Sequence, residues 1–318
     1  MNVKFSKNRA FKKQDITLLL IVVFLFTIFS FATDNFFTVY NITNLFKQAS
    51  ISGILAISAT VVIISKGIDL SVGAVTGLSA FVTAMFIAKL GLPIWFTIVI
   101  AIAVGIITGL ANGVIIHEFR LPPFIATLGT MTIIRGIIKT ASGGKTIAGL
   151  PAEFTQFSKG LLFGFIPNLT IVWIFIILIT FFILKYTRFG RNIYVIGCGD
   201  EVAKLCGINI RLNRYAIYAY AGLLSGIAGV LLTSRINSAV PTGGQGYELV
   251  AIAAAVVGGA SFFGGQGGVL GTVQGTFLLI LIDNGGIHFG IDPFIMEMLS
   301  GVIIIVAVVL DQLRQRNM

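Results

Sequence analysis

Apolar residues in this chain come in long, unbroken runs. Residues 171–184, for example, carry no charged side chain. A half-buried strand alternates apolar and polar positions, and a membrane-spanning barrel does so in segments of about ten residues. That alternation is missing here. Continuous runs of about twenty residues are helices, because a helix satisfies its own backbone groups in lipid. The pattern predicts ten spans: 16–33, 48–65, 71–88, 94–116, 122–141, 169–186, 213–233, 248–263, 268–284 and 294–310. The expected fold class is an all-α integral membrane protein. A 1–15 amino-terminal segment, a single transmembrane domain over 16–310 and a 311–318 tail complete it.

The stretch Ser65-Lys66-Gly67-Ile68-Asp69-Leu70-Ser71-Val72-Gly73-Ala74 interrupts the apolar pattern between the second and third spans. It reads as a break that places Lys66 and Asp69 at the cytoplasmic interface. Asp69, just ahead of Ser71, favours the start of a helix. Gly73 and Gly77 let that helix pack closely.

Composition agrees with the pattern. Hydrophobic residues make up 56% and charged residues 11%, against about 25% charged in soluble domains. Cys198 and Cys206 form no Cys-x-x-Cys pair and join no His–Cys cluster, so neither a metal site nor a disulfide is expected. The net charge of +10 follows from topology. Lys4, Lys7, Arg9, Lys12 and Lys13 precede a first run too long for a cleaved signal core, which is about 7–15 residues. The loop 185–214 holds six basic residues, Lys185, Arg188, Arg191, Lys204, Arg211 and Arg214. The long loop 142–168 has only Lys145 and Lys159. By the positive-inside rule both termini are cytoplasmic, Arg314 and Arg316 included, and no nucleic-acid partner is needed to explain the charge. Gly143-Gly144-Lys145-Thr146 resembles the end of a phosphate-binding loop, but position 139, where the motif needs glycine, is Lys139. The chain is not expected to bind nucleotide.

Two patterns point to an internal repeat. Gly105, Gly109 and Gly113 lie in the fourth span, and Gly267, Gly271 and Gly275 in or beside the ninth. Gly67-Ile68-Asp69-Leu70 opens the third span and Gly246-Tyr247-Glu248-Leu249 the eighth. An offset of five spans reverses the membrane orientation, so spans 2–5 and 7–10 are expected to form an inverted repeat, as in many transporters. In the loop 187–212, Asp200 to Leu205 reads as one or two helical turns, with Gly197 and Gly199 before it and Gly207 after. It is either a docking element for a soluble partner or an ordinary solvated loop.

These residues carry a family resemblance. The chain resembles the permease subunits of bacterial ATP-binding-cassette sugar importers, the ribose, xylose, arabinose and galactose group, ribose permeases most of all. The matching stretches are Gly67 through Gly73, Phe124-Ile125-Ala126-Thr127-Leu128-Gly129 with Arg135-Gly136, and Gly190-Arg191 through Gly207-Ile208-Asn209. Further on come Gly246-Tyr247-Glu248-Leu249 with Ala251-Ile252-Ala253-Ala254, Gly264-Gly265 through Gly275, and Asp283-Asn284-Gly285. The resemblance implies a bacterial inner-membrane protein that pairs with a second copy. It implies a cytoplasmic ATPase that binds ATP and magnesium, this chain itself holding no cofactor. A periplasmic or lipid-anchored binding protein would deliver the sugar. Mapped here, the ATPase-coupling segment includes Gly190, Arg191, Gly199, Asp200, Glu201, Ala203, Lys204 and Gly207. Cys198-Gly199-Asp200-Glu201 stands where the family often has Gly-Gly-Asn-Glu, and Asp283-Asn284-Gly285-Gly286 departs from Asn-Asn-Gly-Leu.

A neutral sugar needs a polar, weakly binding path. Polar residues in apolar spans make Asn112, Thr127, Thr130, Gln274 and Asn284 its candidate lining. An interhelical hydrogen bond is the alternative for each. An ion-gradient-driven secondary transporter is the competing function. It would place ionisable groups at the bilayer centre, whereas Asp69, Glu248, Asp283 and Glu297 fall near span ends and only Arg135 lies well inside. An intramembrane enzyme would need a catalytic constellation that the scattered acids, His117 and His288 do not supply, so no catalytic residue is expected.

Overall fold

A computed structural model describes residues 13–33 and 35–316. Lys4, Lys7, Arg9 and Lys12 therefore lie outside the described residues. The chain is helical throughout: α1 (Lys13–Ala32), α2 (Val39–Ile64), α3 (Val72–Ala84, ending in a wider π turn, Met85–Lys89), α4 (Ile94–Glu118) and α5 (Pro123–Ser142) form the first half. Next come α6 (Ala152–Lys159), α7 (Asn168–Tyr186), α8 (Arg188–Cys198), α9 (Asp200–Leu205) and α10 (Ile210–Ile236). The last helices are α11 (Tyr247–Val257), α12 (Val269–His288) and α13 (Pro293–Arg316). Four two-residue strands make two small ribbons, one pairing Ile147 with Ala239 and the other Leu161 with Pro167.

Seven of these helices are long and apolar enough to cross a membrane: α2, α3 with its π turn, α4, α5, α7, α10 and α12. Three shorter apolar helices, Ile16–Ala32, Tyr247–Val257 and Phe294–Val306, stand at the other expected positions. The sequence-predicted eighth span, 248–263, is helical only in its first part, α11. At about 1.5 Å per residue its 11 residues cover roughly 16 Å, half a hydrocarbon core. The chain breaks at Gly258 and continues through a non-helical segment past Gly265 to α12. The loop 142–168 is also more ordered than a plain connection, because α6 and the ribbons fold it back.

The core runs along α2, every side chain of which is buried from position 49 to 64. Trp173 of α7 lies flat against it at Gly53, where no side chain fits. α10 is the second buried helix. It meets α4 along the glycine triplet: a Cβ on Gly105, Gly109 or Gly113 would run into the backbone of Gly222, Tyr218 or Tyr215. Gly271 and Gly275 of the other triplet press instead on Gly258 and Ala254 of α11 and its end, while Gly267 sits before α12. The two triplets thus face non-equivalent partners. Exposed apolar faces on α4, α5 and α7, such as Ile107, Ile133 and Phe175, suit lipid.

The bundle has two ends. At one, Gly265 N–H donates to the Ile64 carbonyl (2.8 Å), Arg211 pairs with Glu118 (2.7 Å) and Asp311 of α13 accepts from Ser261 (3.1 Å). At the other, Asn41 and Asn284 exchange amide bonds and Ser158 donates to the Ser234 carbonyl (2.8 Å). The start of α1 and the end of α13 both belong to the first end.

Candidate functional site

The first end carries a groove of about 840 Å³ between the exit of α4 and the α8–α9 corner. Thr187 caps α8 by accepting from Gly190 N–H (3.1 Å), and Gly190 lets α8 turn tightly off the last turn of α7. Ile193, Ile196 and Gly197 form the buried face of α8. Gly199 then takes φ 139°, a left-handed value that only glycine adopts without strain, and α9 starts. Ala203 is fully buried against Ile196 and Ile210, which anchors α9. Asp200 accepts twice from Arg214 Nη2 (3.0 and 3.1 Å), tying α9 to α10. Gly207 N–H closes the helix on the Lys204 carbonyl (2.9 Å).

The six residues Asp200 to Leu205 are helical, as the sequence predicts. The expected coupling residues separate into two groups. Gly190, Gly199, Ala203 and Gly207 shape and hold the corner, and Asp200 is bound within the chain. Arg191, Glu201 and Lys204 are presented to solvent. Leu205, 90% exposed, and Val202 share that outer surface, and sequence polarity did not single them out. Lys66, Arg120, Lys204 and Arg214 line the groove, giving it a basic wall with Glu118 and Asp200 as its acids.

The second feature lies deeper. Asp69 is 4% exposed, so it is enclosed by helices, while only Lys66 reaches solvent. Asp69 is thus packed inside the protein, three residues from the exposed Lys66. Its Oδ1 accepts from the Ser71 N–H (2.8 Å) and hydroxyl (2.6 Å). Ser71 Oγ accepts from Asn112 (2.8 Å), and Asn112 Oδ1 accepts from Thr130 (2.6 Å). Thr127 Oγ1 accepts from Leu70 N–H (3.2 Å). One hydrogen-bonded line therefore joins the α2–α3 connection to α4 and α5. Burial pushes the Asp69 carboxyl up from its ordinary range, and the two Ser71 bonds pull the other way. Asn112 lies six residues before the end of α4, about 9 Å along it.

Beyond Asp69, the first turns of α3 meet the segment leading into α11. A side chain at Gly73 would strike Glu248 Oε2 and the Gly244 carbonyl, and one at Gly77 the Gly243 carbonyl. The two four-residue motifs thus come together. They do not act alike: Asp69 accepts from an amide two residues ahead, Glu248 Oε1 from Gly246 N–H two residues behind (3.3 Å). Of the other motif glycines, Gly67 lies against Tyr218 and Gly267 against Ala260 and Ile64. Of the candidate path residues, Asn112, Thr127 and Thr130 are neighbours. Asn284 stands apart, bonded to Asn41, and Gln274 is part-buried on α12. Among the described residues no cluster of His, Cys, Asp or Glu could hold a metal ion.

Residues 41–308 match the family model described as branched-chain amino acid transport system / permease component. The chain belongs to this permease family. Among its relatives, the permease is 39% identical to the ribose import permease protein of Bacillus subtilis (strain 168), over 90% of this chain and 88% of that one. It is 34% identical to the ribose import permease protein of Escherichia coli (strain K12), over 98% and 97%. To the galactose/methyl galactoside import permease protein of Escherichia coli (strain K12) it is 36% identical, over 92% and 93%. As a permease it is a transport component, embedded in the membrane by its long apolar helices.

Proposed function

We propose that this permease is the membrane-spanning subunit of an ATP-driven importer that carries a monosaccharide, of the ribose or galactose kind, across the bacterial inner membrane. The relatives named for those sugars align over nearly the whole chain. The observation that carries the mechanism is α9, anchored through Ala203 and Asp200 and presenting Glu201, Val202 and Leu205 beside a basic groove. A short helix rigidly tied to α10 is suited to pass motion from a docked ATPase into the bundle. ATP and magnesium belong to that partner.

Ten spans and an inverted repeat fit this reading. Pairing α2–α5 with α10–α13, the α3–α4 contact has its counterpart in α11–α12, α4–α10 in α12–α2, α3–α10 in α11–α2 and α3–α5 in α11–α13. The short α11 matches the discontinuous helices of such transporters. The α8–α9 end, rich in Lys and Arg, is taken as cytoplasmic, which leaves the ribbon end for the sugar-binding protein. A second copy is supported by α5, whose outer stripe of Ile125, Leu128, Ile133 and Ile137 includes Gly129 and Gly136 with open space before them.

Uptake of labelled ribose and galactose into cells carrying the permease with its ATPase and binding protein tests the function. Uptake of one of them is expected, and it should vanish when the ATPase is inactivated. Uptake that survives without the ATPase and collapses with an ionophore would instead make this an ion-driven transporter.

A further inference from the structure

Between α5 and the segment entering α11 lies a cavity of about 200 Å³, lined by Met131, Arg135, Thr242, Gln245 and Glu248 among others. Arg135 is twelve residues beyond the start of α5, about 18 Å along it, so the cavity sits well inside the bundle. Glu248 is 8% exposed, and its Oε2 is buried with no hydrogen-bond partner. Arg135 uses Nη1 to donate to the Gly243 carbonyl (2.5 Å), while its Nη2 is buried and also unpartnered. Arg135 and Glu248 border one small space with a third charge, the exposed Lys139, and form no ion pair with each other. Buried charged atoms left without partners are costly, and such a group calls for an explanation.

Resting on the importer reading, we propose that this cavity is a polyol subsite on the sugar path. Arg135 and Glu248 grip adjacent hydroxyls of the monosaccharide. One hydroxyl donates to the carboxylate, and the oxygen of its neighbour accepts from the guanidinium. A vicinal diol supplies both functions from one neutral group. A free cation would meet Arg135 and Lys139, and a free anion would meet Glu248. Thr242 and Gln245, exposed at the rim, offer further hydroxyl partners. Met131 gives an apolar wall for the carbon face of the ring. The site is small, as suits a transport path, where binding must be weak enough for release. A position beside the start of the discontinuous helix α11, inside the bundle, is where secondary transporters of repeat architecture hold substrate. The expected path residues Asn112, Thr127 and Thr130 are, by contrast, occupied with one another and with the α3 start.

The test uses the permease with its ATPase in nanodiscs, with the two native cysteines, Cys198 and Cys206, both exposed, changed to serine. Gln245→Cys at the rim is alkylated by a maleimide with and without d-ribose or d-galactose. A sugar present at about twice its Kd is expected to slow alkylation about threefold. Choline and glutamate at equal concentration should not. Arg135→Met and Glu248→Gln should each abolish protection, and Arg135→Lys should keep part of it. The sugar arm changes only the exposed rim residue Gln245 and keeps Arg135 and Glu248 native, so a pocket variant that fails to fold does not decide the outcome. Unchanged alkylation with both sugars, or protection that survives in Arg135→Met and Glu248→Gln, overturns the subsite. Absence of ATP-driven uptake of either sugar by the unvaried assembly overturns the importer reading itself, and the subsite with it.

Discussion

A carboxyl enclosed among helices must be held by hydrogen bonds, and Asp69 takes two from Ser71. The first fixes the backbone just before α3, and the second orients a hydroxyl that Asn112 then uses. Asp69→Asn keeps an acceptor in the same place, so the solubilised permease should retain its thermal stability and its transport. Asp69→Ala leaves the buried Ser71 N–H and hydroxyl without their acceptor and should cost about 1–3 kcal/mol, read as a lowered Tm. An Asn variant that assembles normally but does not transport would give Asp69 a direct substrate role. The acid at the helix start was legible in the sequence, because Asp-x-Ser ahead of an apolar run is local chemistry. Its burial was not, since that depends on how α4 and α5 close over the connection.

At the scale of elements, the α4–α10 seam and the α8–α9 corner behave differently. In the seam, backbone touches backbone at Gly109. Gly109→Val should force the helices apart and destabilise the permease by about 1–3 kcal/mol, measured by thermal unfolding. Gly136→Val on the open face of α5 should leave that stability unchanged. The corner is a surface. Glu201→Lys and Leu205→Asp should leave the fold intact and sharply reduce co-purification of the ATPase. Asp200→Lys should act differently, by releasing α9 from Arg214. Undiminished co-purification in both Glu201→Lys and Leu205→Asp would remove the docking assignment. Glycines bracketing Asp200 to Leu205 announced α9 in the sequence. Leu205 was missed because an isolated leucine looks like core until its 90% exposure is seen.

For the whole molecule, Cys198 and Cys206 sit at the α8–α9 end, and Phe163 lies 80% exposed in the ribbon between α6 and α7. An impermeant maleimide should miss both native cysteines in intact spheroplasts and reach them in inverted vesicles. Phe163→Cys, in a background free of the native cysteines, should show the reverse. Labelling of both positions from one side would refute the assigned topology.

The sequence by itself determined that the chain is helical and membrane-embedded, because continuous apolar runs leave no other way to satisfy backbone groups in lipid. It also placed the break at Gly67 and the corner helix at Asp200, since turns and helix starts are set by local residue chemistry. Tertiary structure decided the rest. An apolar run cannot state whether its helix crosses fully, and α11 stops at Val257 only where Gly258 meets Gly271 of α12. Nor can it reveal that Arg135 and Glu248, 113 positions apart in the chain, border one cavity. Such neighbours arise from packing, which acts between segments that carry no sign of each other in the linear order.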